Sequence, residues 1–164
     1  MPRIPALALL AVALLACASD DVQVSANYDP LVRFPAEATY VWDDVANVLP
    51  EDSALDRAST DALLRSVADE AFAAKGWRMV PSEPADFRLS YQYTVHTYIG
   101  PNSSLALGSV SLLMSDNQTG RRVWAGFGRA EIHMGLTPEE RRARLAEGME
   151  RMLADFPPRQ RPEE

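Results

Sequence analysis

The sequence predicts an α+β domain: an antiparallel sheet of about five strands with two amphipathic helices on one face, in the order ββαβββα. Three observations carry this. First, Phe87, Leu89, Tyr91, Tyr93 and Val95 alternate with Arg88, Ser90, Gln92, Thr94 and His96. That strict period of two is the mark of a strand with one buried and one wet face. Second, two further β-rich runs follow it, separated by turn-forming residues. Third, two segments repeat apolar residues at the three- and four-residue spacing of a helix face.

The elements follow in chain order. Asp21 to Tyr28 (D-V-Q-V-S-A-N-Y) forms a first strand, ended by Asp29-Pro30 because proline has no N–H for a ladder. Ala38 to Trp42 is a second strand, rich in β-formers. Asp43 to Asp56 reads as an acidic loop, and its spacing lacks the calcium-loop pattern and its central glycine. Ser59 or Thr60 caps a helix to about Lys75, with Leu63, Leu64, Val67, Ala71 and Phe72 as its buried face. Arg65, Asp69 and Glu70 fall on its other faces, and Gly76 suits the left-handed stop. Trp77 to Val80 is a short strand candidate, closed by Pro81.

The alternating strand spans Asp86 to Tyr98, and a Gly-Pro-Asn-Ser-Ser loop leads to the next, Leu105 to Ser115. Its apolar phase breaks near Gly108, marking a bulge or a close approach. Asp116 to Gly120 turns the chain, and Arg121 to Ile132 returns through Val123, Trp124 and Phe127. Gly126 and Gly128 flank Phe127, so neighbouring atoms must pass closely there. Thr137-Pro138-Glu139-Glu140 is a capping box with proline at the first helical position. This second helix runs to about Asp155 on a stripe of Leu145, Met149, Met152, Leu153 and Phe156, and Pro157-Pro158 stops it.

Composition narrows the function classes. The chain has 164 residues and a net charge of −7, with a pI near 4.9. Such an acidic balance excludes the basic field of a nucleic-acid binder. One Cys and two His exclude an internal disulfide and a cysteine-based zinc cluster.

The N-terminus specifies an address. Arg3 precedes Ile4 to Ala16, a run without charge that is almost wholly apolar, the layout of a secretory signal. At 1.5 Å per residue the run spans about 20 Å as a helix, short of the ~30 Å hydrocarbon core. It ends in Leu14-Leu15-Ala16-Cys17, which resembles a bacterial lipobox. The resemblance implies cleavage between Ala16 and Cys17 and lipid attachment at Cys17, the sole cysteine. Ala18 stands where an Asp would imply inner-membrane retention, so an outer-membrane protein facing the periplasm is expected. The reading is thus signal peptide 1–16, lipidated tether 17–21, one domain 22–158 and a polar tail 159–164. Removing 1–16 takes away Arg3 and leaves −8, so no polybasic patch assists the lipid.

The mature chain is also similar to a family of uncharacterised bacterial lipoproteins built on a domain of unknown function. The features are Tyr28-Asp29-Pro30, Phe34, Thr39-Tyr40-Val41-Trp42, Ala74-Lys75-Gly76-Trp77, Ala85-Asp86-Phe87, Asp116 with Thr119-Gly120, Val123-Trp124-Ala125-Gly126 and Phe156-Pro157-Pro158. The resemblance implies an envelope protein with an α+β domain, and it carries no catalytic residue to transfer.

Reactive constellations are few. No G-x-S-x-G elbow occurs. His96 on the outward strand face and His133 lack metal-ligand spacing. No cofactor, metal or catalytic residue is assigned, and the protein is not expected to be an enzyme. The leading expectation is a lipid-anchored envelope protein that binds another protein or a cell-wall component. The alternative is a carrier or sensor of a small apolar ligand, with Tyr91 and Tyr93 facing the ligand in a pocket bordered by Met149. A hydrolase of envelope polymers ranks third.

Overall fold

A computed structural model describes residues 22–43, 57–99, 104–133 and 135–158. Ala16, Cys17, most of the acidic loop and the tail lie outside the described residues. Six strands and two helices follow in the order β1 (Gln23–Tyr28), β2 (Ala38–Trp42), α1 (Arg57–Ala73), β3 (Trp77–Met79), β4 (Phe87–Ile99), β5 (Ser104–Asp116), β6 (Arg122–Glu131) and α2 (Pro138–Met152). The α+β class and the element order match the sequence reading, with Trp77–Met79 as the sixth strand.

The sheet order is β1-β6-β5-β4-β2-β3. β4, β5, β6 and β1 are mutually antiparallel, whereas β2 pairs in parallel with both β3 and β4. These parallel pairings are set by connection: parallel neighbours need a long crossover, and α1 supplies it between β2 and β3. The ladder from Phe87↔Asp116 to Ile99↔Ser104 is the longest.

Both helices cover one face. α1 buries Leu64, Val67, Ala68 and Phe72, and α2 buries Met149 and Met152. They meet Tyr40, Leu89, Tyr91, Leu112, Met114 and Trp124 from the strands. The opposite face carries Gln92, Thr94, His96 and the partly exposed Phe127.

Rings dominate the core. Phe156, just past α2, lies 4.9 Å from Trp77, 5.3 Å from Phe72 and Trp124, and 5.9 Å from Phe34 between ring centroids. Reaching them requires α2 to end early. It stops at Met152 rather than near Asp155, and Phe156 N–H bonds the Leu153 carbonyl at 3.0 Å.

The ends of the elements show local causes. Thr137 and Glu140 form the expected reciprocal capping box, and the Thr137 donors hold the Glu140 carboxyl below its usual range. α1 starts at Arg57, so Ser59 and Thr60 lie inside its first turn rather than capping it. Gly76 follows α1 with φ +85°, the left-handed stop, and a Cβ there would also meet the Ala36 carbonyl at 2.9 Å. In the β5–β6 turn, Asp116 accepts from Thr119 Oγ1 at 2.6 Å and Thr119 N–H at 2.7 Å, and these bonds lower its carboxyl pKa.

The glycines in β5 and β6 separate two effects. The register shift falls at Met114/Ser115, not at Gly108, where the ladder runs unbroken. Gly108 is instead a close approach: a Cβ there would stand 3.2 Å from Ile132 Cγ1. At Gly126 a Cβ would overlap Met152 and Trp124 outright.

Two outcomes follow for stability. Phe72→Ala removes a fully buried ring, and chemical denaturation is expected to show a loss of about 3–5 kcal/mol. Gly126→Ala is expected to cost about 1–3 kcal/mol by overpacking; an unchanged midpoint would mean that α2 is not seated on β6 as described.

Candidate functional site

Two places concentrate chemistry. The first lies where α1 crosses β2 and β4. Asp61, Arg65 and Asp69 stand four residues apart and share one helix face. Asp69 Oδ1 accepts from Tyr40 Oη at 2.5 Å and from Trp42 Nε1 at 3.0 Å. Asp61 Oδ1 accepts from Tyr91 Oη and, at 2.9 Å, from Arg65 Nε. The Arg65 guanidinium also lies 5.2 Å above the Trp42 ring centre.

These are structural bonds. Tyr40 and Tyr91 are buried, and their hydroxyls would be orphaned without the carboxylates. Burial pushes both phenol pKa values up, and the adjacent Asp69 and Asp61 push them further. Tyr91, expected to face a ligand, is held in the core instead. The sequence reading placed Asp69 and Arg65 away from the buried face. The four-residue spacing with Asp61 was the signal for a shared stripe, but it does not name the tyrosines opposite.

The second place is a cavity of about 150 Å³ between α2 and strands β4 to β6. Tyr93, Val110, Leu145 and Met149 form apolar walls, and Val22 lies at its edge. Tyr93 and Met149 both line this cavity, and Tyr91 does not. Burial raises the Tyr93 phenol pKa. The Arg144 guanidinium, at one side, donates to the Glu131 carbonyl at 3.4 Å.

His96 and His133 are both exposed. Among the described residues, no three His, Cys, Asp or Glu side chains converge as a metal site. No helix among them is long and apolar enough to cross a membrane.

Fold and cavity define a small α+β domain with a largely apolar, partly open pocket beside its second helix. Residues 24–158 match the family described as Domain of unknown function (DUF4136), and the chain belongs to it. Among solved structures, the chain is similar to the PelC dodecamer from Paraburkholderia phytofirmans. The TM-score is 0.56 at 14% identity, covering 84% of this chain and 99% of that one. It is also similar to Lipoprotein GNA1162 from Neisseria meningitidis, with a TM-score of 0.47 at 15% identity, covering 72% of this chain and 99% of that one. Among curated proteins, none matches. The PelC likeness is one of fold.

The buried tyrosines set a pH response. In the unfolded chain they ionise near 10.0, whereas in the fold their pKa values lie well above. Above that pH the folded state binds more protons, so stability is full below about pH 10 and falls as pH rises towards the folded values. Denaturation midpoints between pH 9 and 12 are expected to fall, and less steeply in Tyr40→Phe.

Proposed function

We propose that the protein is a lipid-anchored, non-catalytic component of the bacterial envelope. It is held at the outer membrane through Cys17, faces the periplasm, and binds another envelope protein or a cell-wall component. The observation that carries this reading is the lipobox Leu14-Leu15-Ala16-Cys17 directly after an apolar run, five residues before Val22. Over that distance the chain reaches at most about 18 Å, so the domain stays beside the membrane surface.

Two further points support it. The family features are spent on the fold: Phe34, Tyr40, Trp77, Phe87, Trp124 and Phe156 are all buried. Asp61 and Asp69, on the α1 face turned to the sheet, are engaged by tyrosines. PelC, a relative in fold, is a dodecamer, a precedent for work within an assembly. Two or three acyl chains, at ~0.8 kcal/mol per buried CH₂, would hold the domain with no basic patch.

Cys17→Ser is expected to move the protein from the membrane fraction to the soluble fraction, or to leave it unprocessed, with the domain still folded. A mutant that is matured and firmly membrane-bound would overturn the anchor. For the binding role, cross-linking in living cells with mass spectrometry is expected to return a stoichiometric envelope partner. Recovery of the bare protein would overturn the accessory role.

A further inference from the structure

The cavity under α2 is more than a packing remnant. Three glycines line it, Gly108 on β5, Gly128 on β6 and Gly148 on α2. None has a positive φ, a conformation confined to Gly76 and Gly120 among the described glycines. Backbone geometry therefore does not require glycine at these three places. At Gly108 and Gly128 a Cβ would crowd Ile132 at 3.2 Å and Met152 at 3.1 Å. At Gly148 it would stand 3.6 Å from Val22, ordinary contact. Glycine is among the poorest residues for a helix interior, so Gly148 weakens α2 where alanine would fit. What glycine provides there is space.

The space has a chemistry. Its walls are chiefly apolar, formed by Val110, Leu145 and Met149 with the Tyr93 ring. Arg129, Glu131 and Arg144 also line it, with Arg144 donating to the Glu131 carbonyl, and the Tyr93 phenol adds a hydroxyl. The Tyr40 and Tyr91 hydroxyls are bonded to carboxylates, whereas Tyr93 has no hydrogen-bond partner among the described residues. The pocket is partly open, and its volume of about 150 Å³ is on the scale that holds a six-carbon molecule such as benzene.

We propose that the cavity between α2 and β4–β6 is a binding site for a small neutral amphiphile, an apolar body of about six carbons with one hydrogen-bonding group that meets Tyr93 Oη. The apolar body fills the room left by Gly108, Gly128 and Gly148. The polar group completes the tyrosine, and Arg144, the cation at one side, already donates to the Glu131 carbonyl. The inference goes beyond the accessory role and does not depend on the lipid.

The test uses the mature chain carrying Cys17→Ser, in detergent-free buffer. All described contacts lie within 22–158, so this change removes none of them. The ligands are 1-hexanol and toluene, followed by amide NMR shifts and by Tm. Saturable shifts centred on Gly108, Gly128 and Gly148 are expected, with Tm rising with ligand concentration. Tyr93→Phe is expected to weaken 1-hexanol about tenfold and to leave toluene within twofold. Leu145→Trp, or Gly148→Leu if the former does not fold, is expected to abolish both. Shifts that do not saturate or that centre elsewhere in the starting protein would overturn the site. So would binding that survives a folded cavity-filling variant. Equal loss of both ligands in Tyr93→Phe would overturn the role of the hydroxyl. None of these results bears on membrane attachment, which fractionation reports separately.

Discussion

Phe156 reaches a ring from the segment before β2, from α1, from β3 and from β6. It follows the C-terminal helix, and Phe34 stands near the start of the domain, so one side chain closes the chain on itself. Around it Phe34 stacks on Phe87 at 6.2 Å, and Trp77 lies 4.8 Å from Phe87. Edge-to-face and offset pairs of this kind add about 0.5–1.5 kcal/mol each beyond area burial. The rings also fix where α1 and α2 may sit. Once Phe72 and Phe156 are both against Trp124, α2 has one position over β6, and Gly126 must be glycine to admit Met152.

That constraint explains why the family signature is silent about activity. Tyr40, Trp77, Phe87, Trp124 and Phe156 carry much of the resemblance, and each is a wall of the ring cluster. The polar members serve the fold as well. Asp86 Oδ2 accepts from Thr39 N–H at 2.7 Å and from its hydroxyl at 2.8 Å, tying β4 to β2. Asp29 pairs with Arg121 at 2.8 Å, tying the end of β1 to the turn before β6. A sequence can keep all of these and vary freely in what it binds. The cavity lies beside this set, lined by Tyr93, Leu145 and Gly148 instead.

What the sequence made legible had a local cause. Alternation placed β4, the capping box placed the start of α2, and the glycines flanking Phe127 announced a close passage over β6, which the structure fills with Met152. Parallel pairing of β2 was not legible, because no local pattern tells which strand a crossover returns to. The Tyr40–Asp69 and Tyr91–Asp61 bonds were hidden for the same reason: the partners lie about thirty residues apart, and each half alone looks like surface or core. Gly148 shows a third limit. A glycine in a helix is visible in the sequence, but the space it leaves depends on Val22 and on strands elsewhere.

All three tryptophans of the chain belong to the ring network or its border. Trp77 is fully buried, and its indole N–H is the one buried side-chain donor without a partner among the described residues. Excited indole relaxes by reorienting nearby dipoles, and around Trp77 there are mainly rings. Its emission should lie at short wavelength, apart from that of Trp42, whose N–H is bonded to Asp69. The domain therefore contains an optical gauge of its own closure, one that reddens when Phe156 lets go and water reaches the cluster.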